Sequence, residues 1–220
     1  MQKQLFIIII HCTFLIANCA LVGAQSKIDS LKNVLKIAKD TNKVIILNNL
    51  ALEYRKVNTD TAMKYASEGL DMGKKIGFQR EIARSYHMIG IIYREQAEYI
   101  LALECYEKSN EIFKELNYKS GIADCLNSKG ILYSRLRQID KALNFYIRSL
   151  NIYDEIGKKQ KIANLSNNIG TIYQKKEILD TALIYYNISL LINKELGNIT
   201  EIGYCYINIG EIYENQGKYD

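Results

Sequence analysis

A six-residue pattern recurs along this chain at a constant spacing, and the recurrence limits the possible folds more than any other feature. The segment NIGTIY at Asn168 returns as NIGEIY at Asn208, and it is preceded by SKGILY at Ser128 and MIGIIY at Met88. Neighbouring copies lie 40 residues apart (128 − 88, 168 − 128, 208 − 168). Self-similarity at a fixed period of roughly 20 to 50 residues is typical of proteins in which one small unit stacks on the next.

Small and large residues both keep this period. An earlier copy, with Ala51 and Tyr54 at the glycine and tyrosine positions, lies 39 residues before its successor (90 − 51). Because each residue type returns to its own place in the unit, we expect every unit to pack in the same way. The recurring residues are Gly90, Gly130, Gly170 and Gly210; Tyr93, Tyr133, Tyr173 and Tyr213; Ile82, Ile122, Ile162 and Ile202; Ala62, Ala102, Ala142 and Ala182; and Tyr106, Tyr146 and Tyr186.

Each unit has the pattern of two helices joined by a short turn. Between Ile162 and Lys176 the apolar residues recur at steps of three and four, which places them on one face of a helix. A second helix is predicted from about Asp180 to Leu196, and Gly197 follows it. Glycine or asparagine at this point stops a helix because it enters the left-handed conformation easily. The equivalent stops are Gly77, Asn117 and Gly157, and since the chain contains no proline the sequence predicts an all-α protein of antiparallel helix pairs.

Gly170 lies inside the first helix of its unit, where a glycine costs about 1 kcal/mol relative to alanine. A small residue here and another at Ala182 would let the two helices approach at the short end of the usual range of about 8 to 10 Å. Close packing therefore explains the glycine. Leucine at this position is expected to overpack the contact and to destabilise the chain by about 1 to 3 kcal/mol.

The arrangement resembles the tetratricopeptide repeat. In the segment SNNIGTIYQKKEILDTALIYYNISL the residues Gly170, Tyr173, Ala182, Tyr186 and Ser189 are in register with that family's pattern, and the resemblance runs from about residue 44 to residue 220. The unit is longer than the family's usual length of about 34 residues, and the family's proline near the end of the second helix is absent. The chain therefore resembles the longer-helix variant found in kinesin light chains and in bacterial peptide-sensing regulators.

This resemblance implies a right-handed superhelical solenoid of antiparallel helix pairs, with an atypical helix covering its first unit. We expect that capping helix at residues 25–42, with Leu31, Val34, Leu35 and Ala38 on its apolar side. The array follows at 43–220. Its units are about 43–81, 82–121, 122–161 and 162–201, with a partial unit at 202–220. The last helix could itself be a cap, but Gly217 and Tyr219 fit the family's turn between helices, which favours a second helix after Asp220.

The first 24 residues have the pattern of a secretory signal peptide. An apolar run begins at Leu5, and small residues at Val22 and Ala24 mark a cleavage site after residue 24. Two alternatives remain: an uncleaved anchor, because the run is just long enough to span a bilayer, and a lipoprotein signal ending at Cys19, which Asn18 disfavours. The sequence predicts an exported protein, periplasmic or associated with the envelope.

The residues needed for common catalytic and metal sites do not occur together. Beyond the leader, His87 is the sole histidine, the glycines are spaced as repeat markers rather than as a phosphate-binding loop, and Cys105, Cys125 and Cys205 suggest buried helix residues rather than a disulfide framework. The net charge of +5 is spread among mixed signs, which disfavours nucleic acid. We therefore predict no catalytic residue, no metal and no cofactor.

In the tetratricopeptide family the first helices of the units line a concave face that binds extended peptides or partner helices. The resemblance places Asn49, Asn168 and Asn208 at a position that commonly hydrogen-bonds a ligand backbone, and Arg84, Arg94 and Arg135 are candidates to bind a carboxylate. The predicted binding residues are Asn48, Asn49, Arg55, Arg84, His87, Arg94, Asn127, Arg135, Asn167, Asn168, Gln174, Lys175 and Asn208, with Glu95 and Asn164 beside them.

These expectations favour a non-catalytic domain that binds a protein or a peptide. The first hypothesis is the sensory or scaffolding input of an exported bacterial envelope protein whose output lies beyond Asp220. The alternative is a cytoplasmic peptide-responsive regulator of transcription or of phosphatase type, built from 40-residue units, and an enzyme ranks third. Membrane contact is expected only through an uncleaved leader or a C-terminal segment, and the sequence leaves the oligomeric state open.

Overall fold

The computed structural model describes residues 25–55 and 57–216, and every element of regular structure within them is an α-helix. The predicted leader, residues 1–24, lies outside the described residues. The ten helices of the described ranges are α1 (25–37), α2 (Asp40–Tyr54), α3 (Thr59–Ile76), α4 (Gln79–Glu95), α5 (Tyr99–Glu115), α6 (Lys119–Arg135), α7 (Ile139–Glu155), α8 (Lys159–Lys175), α9 (Leu179–Leu196) and α10 (Ile199–Asn215). None of these helices is long and apolar enough to cross a bilayer.

The helices form two compact units, Met1–Cys105 and Tyr106–Asp220, with the division inside α5. In the first unit α3 packs against both α2 and α4. In the second unit α6 packs on α7, α7 on α8, α8 on α9 and α9 on α10. Each of these helices therefore packs mainly on its neighbours in the chain, and the predicted fold class, all-α helix pairs of the tetratricopeptide type, is confirmed.

The predicted helix stops are confirmed by the backbone. The residues Gly77, Gly157 and Gly197 have φ of 70°, 65° and 70°, and Asn117 has φ of 50°. After Gly197, the amide of Asn198 donates to the carbonyl of residue 193 at 3.0 Å, which satisfies a carbonyl that the end of a helix leaves without a partner. The turn from each second helix to the next first helix is therefore set locally.

A second series of left-handed residues ends the first helices, and the sequence did not predict it. Ala97, Arg137 and Glu177 have φ of 64°, 56° and 61°, although none is a glycine. Each is followed by an amide that bonds back to the recurring tyrosine, as Ile178 does to the carbonyl of Tyr173 at 3.0 Å. The single hint was Gly217, which occupies the equivalent place in the sequence, 40 residues after Glu177 (217 − 177).

Two repeat glycines of the second unit, Gly130 and Gly170, lie directly beneath tyrosine rings. A β-carbon on Gly130 would be 2.5 Å from the ring of Tyr146, and one on Gly170 would be 2.7 Å from the ring of Tyr186, so no larger residue fits without movement. Tyr146 is 4% exposed and Tyr186 is fully buried. The glycine predicted to bring two helices together thus admits the aromatic residue found 16 positions later (146 − 130, 186 − 170).

The interior between neighbouring helices contains small polar groups as well as rings. Cys125 and Cys205 are buried, and each thiol lies 3.3 Å from a serine hydroxyl, that of Ser109 or Ser189. Burial raises the pKa of the Cys125 thiol to about 12. Cys105 is half-buried. The predicted role of the cysteines as helix-face residues therefore agrees with their positions.

The N-terminal helix α1 contacts α2 through charged side chains. Lys27 forms an ion pair with Glu53, and the ammonium of Lys32 lies 5.4 Å from the centroid of the Tyr54 ring. Ile28 is fully buried, whereas Val34 is 43% exposed. Helix α1 therefore contacts α2, although the side chain of Val34 is not enclosed. Helix α1 ends at residue 37 and α2 begins at Asp40, so the predicted range 25–42 includes the start of α2, and the capping role stays a prediction.

Candidate functional site

All predicted binding residues lie on the first helix of a pair or immediately after it. They fall in α2 and just beyond it (Asn48, Asn49 and Arg55), α4 (Arg84, His87 and Arg94), α6 (Asn127 and Arg135), α8 (Asn167, Asn168, Gln174 and Lys175) and α10 (Asn208). Helices α2 and α4 belong to one compact unit, and α6, α8 and α10 belong to the other. Each unit has its own group of polar contacts.

In the first unit a buried carboxylate organises the predicted residues. Glu81 is fully buried, and its carboxylate accepts hydrogen bonds from Asn48 at 3.0 Å and from Arg84 at 3.0 and 3.1 Å. Arg84 also donates to Asn49 at 3.3 Å, and the hydroxyl of Ser85 donates to Asn48 at 2.7 Å. Arg84, predicted to bind a ligand carboxylate, is therefore already bound to one of the chain's own.

The space for this network comes from a change in the repeat. A β-carbon on Gly69 would lie 3.0 Å from Oδ1 of Asn48 and 3.4 Å from Oγ of Ser85. The equivalent positions of the later units are serines: Ser109, Ser149 and Ser189. A glycine in the first unit thus leaves room for an asparagine–serine pair that a side chain would crowd.

A second cluster in the first unit joins two arginines to one carboxylate. Arg55 and Arg94 approach Glu95 at 3.3 and 3.4 Å, and Arg94 is only 6% exposed. The Nε atoms of both arginines are buried and have no hydrogen-bond partner among the described residues. With two guanidinium groups sharing one carboxylate, the cluster has one net positive charge. His87 is half-buried on the same helix as Arg94.

In the second unit, helix α8 presents a row of amides and a hydroxyl, which we call the α8 polar face. It consists of Gln160, Asn164, Asn167, Thr171 and Gln174, whose steps of four and three place them on one side of the helix. Its bonds to the next first helix, or to the residue just before it, are Asn198 to Gln160, Asn208 to Asn167 at 2.9 Å, and Gln174 to Glu211 at 3.5 Å. Gln160 and Thr171 are not among the residues predicted from the sequence, although their spacing places them on this face.

The tyrosine that fills the repeat glycine also orients this face. The hydroxyl of Tyr186 donates to Oε1 of Gln174 at 2.6 Å and lies 3.2 Å from Oγ1 of Thr171. Burial raises the pKa of Tyr186, so the hydroxyl remains a donor at neutral pH. Core packing and the position of Gln174 are thus coupled through one ring.

Four predicted residues of the second unit keep unused hydrogen-bonding or charge capacity. Among the described residues, Oδ1 of half-buried Asn127 is inaccessible to solvent and unpaired, and the side chain of Asn168 forms no hydrogen bond. Arg135 and Lys175 are exposed, form no ion pair there, and occupy equivalent places 40 residues apart (175 − 135). Within residues 25–55 and 57–216, no group of three or more His, Cys, Asp and Glu side chains is placed to hold a metal ion.

Known proteins share the helical repeat of this chain. Residues 81–155, from α4 to the end of α7, match the tetratricopeptide repeat family. A solved Rap protein complexed with competence and sporulation factor superposes with a TM-score of 0.78 at 18% identity, over 89% of this chain and 59% of that one. The chain is a tetratricopeptide-type repeat protein.

Two other solved structures share the fold of this tetratricopeptide-type chain. BtubC (BKLC) from P. vanneervenii aligns with a TM-score of 0.70 at 19% identity, over 90% of this chain and 83% of that one. Aspartyl phosphate phosphatase F from Bacillus subtilis aligns with a TM-score of 0.73 at 14% identity, over 90% and 57%. The chain therefore spans less than two thirds of the Rap protein and of the phosphatase, and at these identities the likeness concerns the fold. No curated protein sequence matches the chain.

Proposed function

We propose that this chain is the non-catalytic, peptide- or protein-binding region of an exported bacterial envelope protein, where it gives sensory or scaffolding input to a larger signalling protein. Tetratricopeptide repeats are protein-binding scaffolds. The surface we assign to binding is the α8 polar face together with Asn168 and Lys175 of α8 and Asn127 and Arg135 of α6. The leader pattern of residues 1–24 supports export.

The observation that carries the binding proposal is the unused capacity of Asn127 and Asn168. A carboxamide both donates and accepts, so it matches the N–H and C=O groups of an extended peptide. A buried acceptor without a partner costs about 1 to 3 kcal/mol. Rotation of the half-buried Asn127 side chain would bring Oδ1 to a ligand N–H, and the hydrogen bond would recover part of that free energy. Arg135 and Lys175 add two exposed cations, which favour a ligand with a carboxylate.

The test is the selection of binders from a library of random dodecapeptides displayed on phage. We expect enriched peptides to bind the wild-type chain, and the double variant Asn127→Ala/Asn168→Ala to bind them at least tenfold more weakly. Asn151→Ala is the matched control, because Asn151 is an exposed asparagine on α7, outside the assigned surface. The absence of any enriched peptide, or equal loss in the control, would contradict the proposal.

The rival function is a cytoplasmic peptide-responsive regulator. The likeness to the Rap protein favours it, because that protein was solved in complex with competence and sporulation factor. A reporter enzyme that is active only outside the cytoplasm, fused after residue 220, separates the two. We expect activity with the natural leader and none with Ile8→Arg/Ile9→Arg, which interrupts its apolar run. An inactive fusion with the natural leader would favour the regulator.

A further inference from the structure

Gln25 becomes the first residue of the chain when the leader is cleaved at the position that its pattern predicts. The small residues Val22 and Ala24 place that cleavage after residue 24. A glutamine with a free α-amino group has a reaction open to it that an internal glutamine lacks, because its side-chain amide and its own amine can close a five-membered ring. This chemistry requires the cleavage and therefore rests on the export proposed above.

The structure leaves Gln25 accessible for such a reaction. The side chains of Gln25 and Ser26 are exposed, whereas Ile28, three residues after Gln25 on α1, is fully buried. Lys27 is held by its ion pair with Glu53 of α2. Cleavage after residue 24 would therefore leave a short exposed end, directly followed by a part of α1 that is anchored to the rest of the fold.

A hydrogen bond within α1 holds the amide of Gln25 in the folded chain. Its Nε2 donates to Oδ1 of Asp29 at 3.0 Å, and both side chains are exposed. A hydrogen bond between exposed side chains is weak, because water competes for both partners. Rotation about the Cα–Cβ and Cβ–Cγ bonds of Gln25 then brings its amide carbon Cδ from Asp29 to the α-nitrogen.

We propose that Gln25 is a modification site, which cyclises to pyroglutamate after the leader has been removed. The neutral α-nitrogen attacks Cδ of its own side chain, so that the N–Cδ bond forms and the Cδ–Nε2 bond breaks. One proton of the amine passes to Nε2, which leaves as ammonia. Nothing is oxidised or reduced, and no second substrate takes part.

The ring suits the start of a helix better than the free amine does. An α-amino group is largely protonated at neutral pH, and its positive charge is unfavourable at a helix N-terminus, which itself carries a partial positive charge. The lactam is neutral, so this repulsion disappears. The ring also restricts its residue as proline does, and proline is favoured at the first helical position. Cyclisation is therefore compatible with the helical conformation observed at Gln25.

Intact-protein mass spectrometry of the chain exported with its natural leader tests the proposal. During incubation for several days in mildly alkaline buffer, where the amine is neutral, we expect the chain that begins at Gln25 to lose about 17 Da, the mass of ammonia. A chain that keeps residues 1–24 would overturn the modification together with the predicted cleavage. A cleaved chain that keeps its ammonia would overturn the modification alone and leave the export standing.

The matched control is Gln25→Glu, which preserves the shape of the side chain. Its carboxylate is a much poorer electrophile than the amide, so this variant should keep its mass in the same incubation. An aminopeptidase should remove residue 25 from the variant and leave the cyclised wild-type chain intact, because the lactam has no free amine. Loss of ammonia from the variant to the same extent would place the reaction at another residue and would overturn the assignment to Gln25.

Discussion

Gly170 and Gly210 occupy the same place in consecutive repeats but have different surroundings. A β-carbon on Gly170 would lie 2.7 Å from the Tyr186 ring, whereas one on Gly210 meets no atom within 4 Å. We expect Gly170→Ala to destabilise the chain by about 1 to 3 kcal/mol, because the ring must move. Gly210→Ala should instead stabilise it by up to about 1 kcal/mol, through helix propensity alone. Urea unfolding followed by circular dichroism measures both, and a shift of the same sign in each would contradict the packing described.

Arg84 compensates the buried charge of Glu81 rather than projecting freely into solvent. Arg84→Ala should destabilise the chain by about 1 to 3 kcal/mol, because it removes two hydrogen bonds from a buried carboxylate. Adding Glu81→Gln should recover part of the loss, since a neutral amide needs no cation. Arg135→Ala is the control, with an expected change within about 0.5 kcal/mol. Equal losses for Arg84→Ala and Arg135→Ala in thermal unfolding would show that Glu81 does not need its partner.

The cysteines should differ in reactivity. The ordinary thiol pKa of 9.0 is raised to about 12 at Cys125, so its thiolate fraction at pH 8 falls roughly a thousandfold. We expect iodoacetamide to modify half-buried Cys105 first and Cys125 only after unfolding, as followed by peptide mass spectrometry.

The same burial makes the stability of the fold depend on pH. Because the pKa of Cys125 is raised in the folded state, the contribution of its neutral thiol to the free energy of unfolding is present below pH 9 and is lost as pH rises toward 12. Early modification of Cys125 in the folded chain would contradict its burial.

At the scale of the elements, two kinds of turn use the same left-handed conformation with different residues. Gly157 has φ of 65° and no atom within 4 Å of a β-carbon, so Gly157→Ala measures backbone strain alone. We expect a loss of about 1 kcal/mol. Glu177 has φ of 61°, and Glu177→Gly should stabilise the chain by several tenths of a kcal/mol or more. Thermal melts of both variants check this, and the reverse signs would mean that the turns are not left-handed in solution.

The helix pairs were predictable because period and propensity act locally. Apolar steps of three and four and a glycine or asparagine stop describe α8, α9 and Gly197 without knowledge of any partner. The left-handed Glu177 was not predictable in this way, since a glutamate carries no turn signal of its own. Its conformation follows from the bond between Ile178 and Tyr173 that closes the turn.

At the scale of the whole molecule, the sequence predicted which helices carry the candidate site but not how its residues are engaged. Asn48, Asn49 and Arg84 do come together, yet they do so around the buried Glu81, through hydrogen bonds that join residues 33 and 35 positions apart in the chain, Asn48 to Glu81 and Arg84 to Asn49. Arg94 was expected to bind a ligand carboxylate and is paired with Glu95. Asn127 and Asn168 retain the unused capacity that the binding proposal needs.

Peptide binding through the first helices of this repeat chain can be followed by the side-chain carboxamide resonances in NMR. A selected dodecapeptide titrated into isotope-labelled chain should shift the resonances of Asn127 and Asn168 and leave those of Asn144 and Asn151, exposed on α7, unchanged. Saturable shifts confined to the α7 asparagines, with Asn127 and Asn168 unmoved, would contradict binding through the first helices.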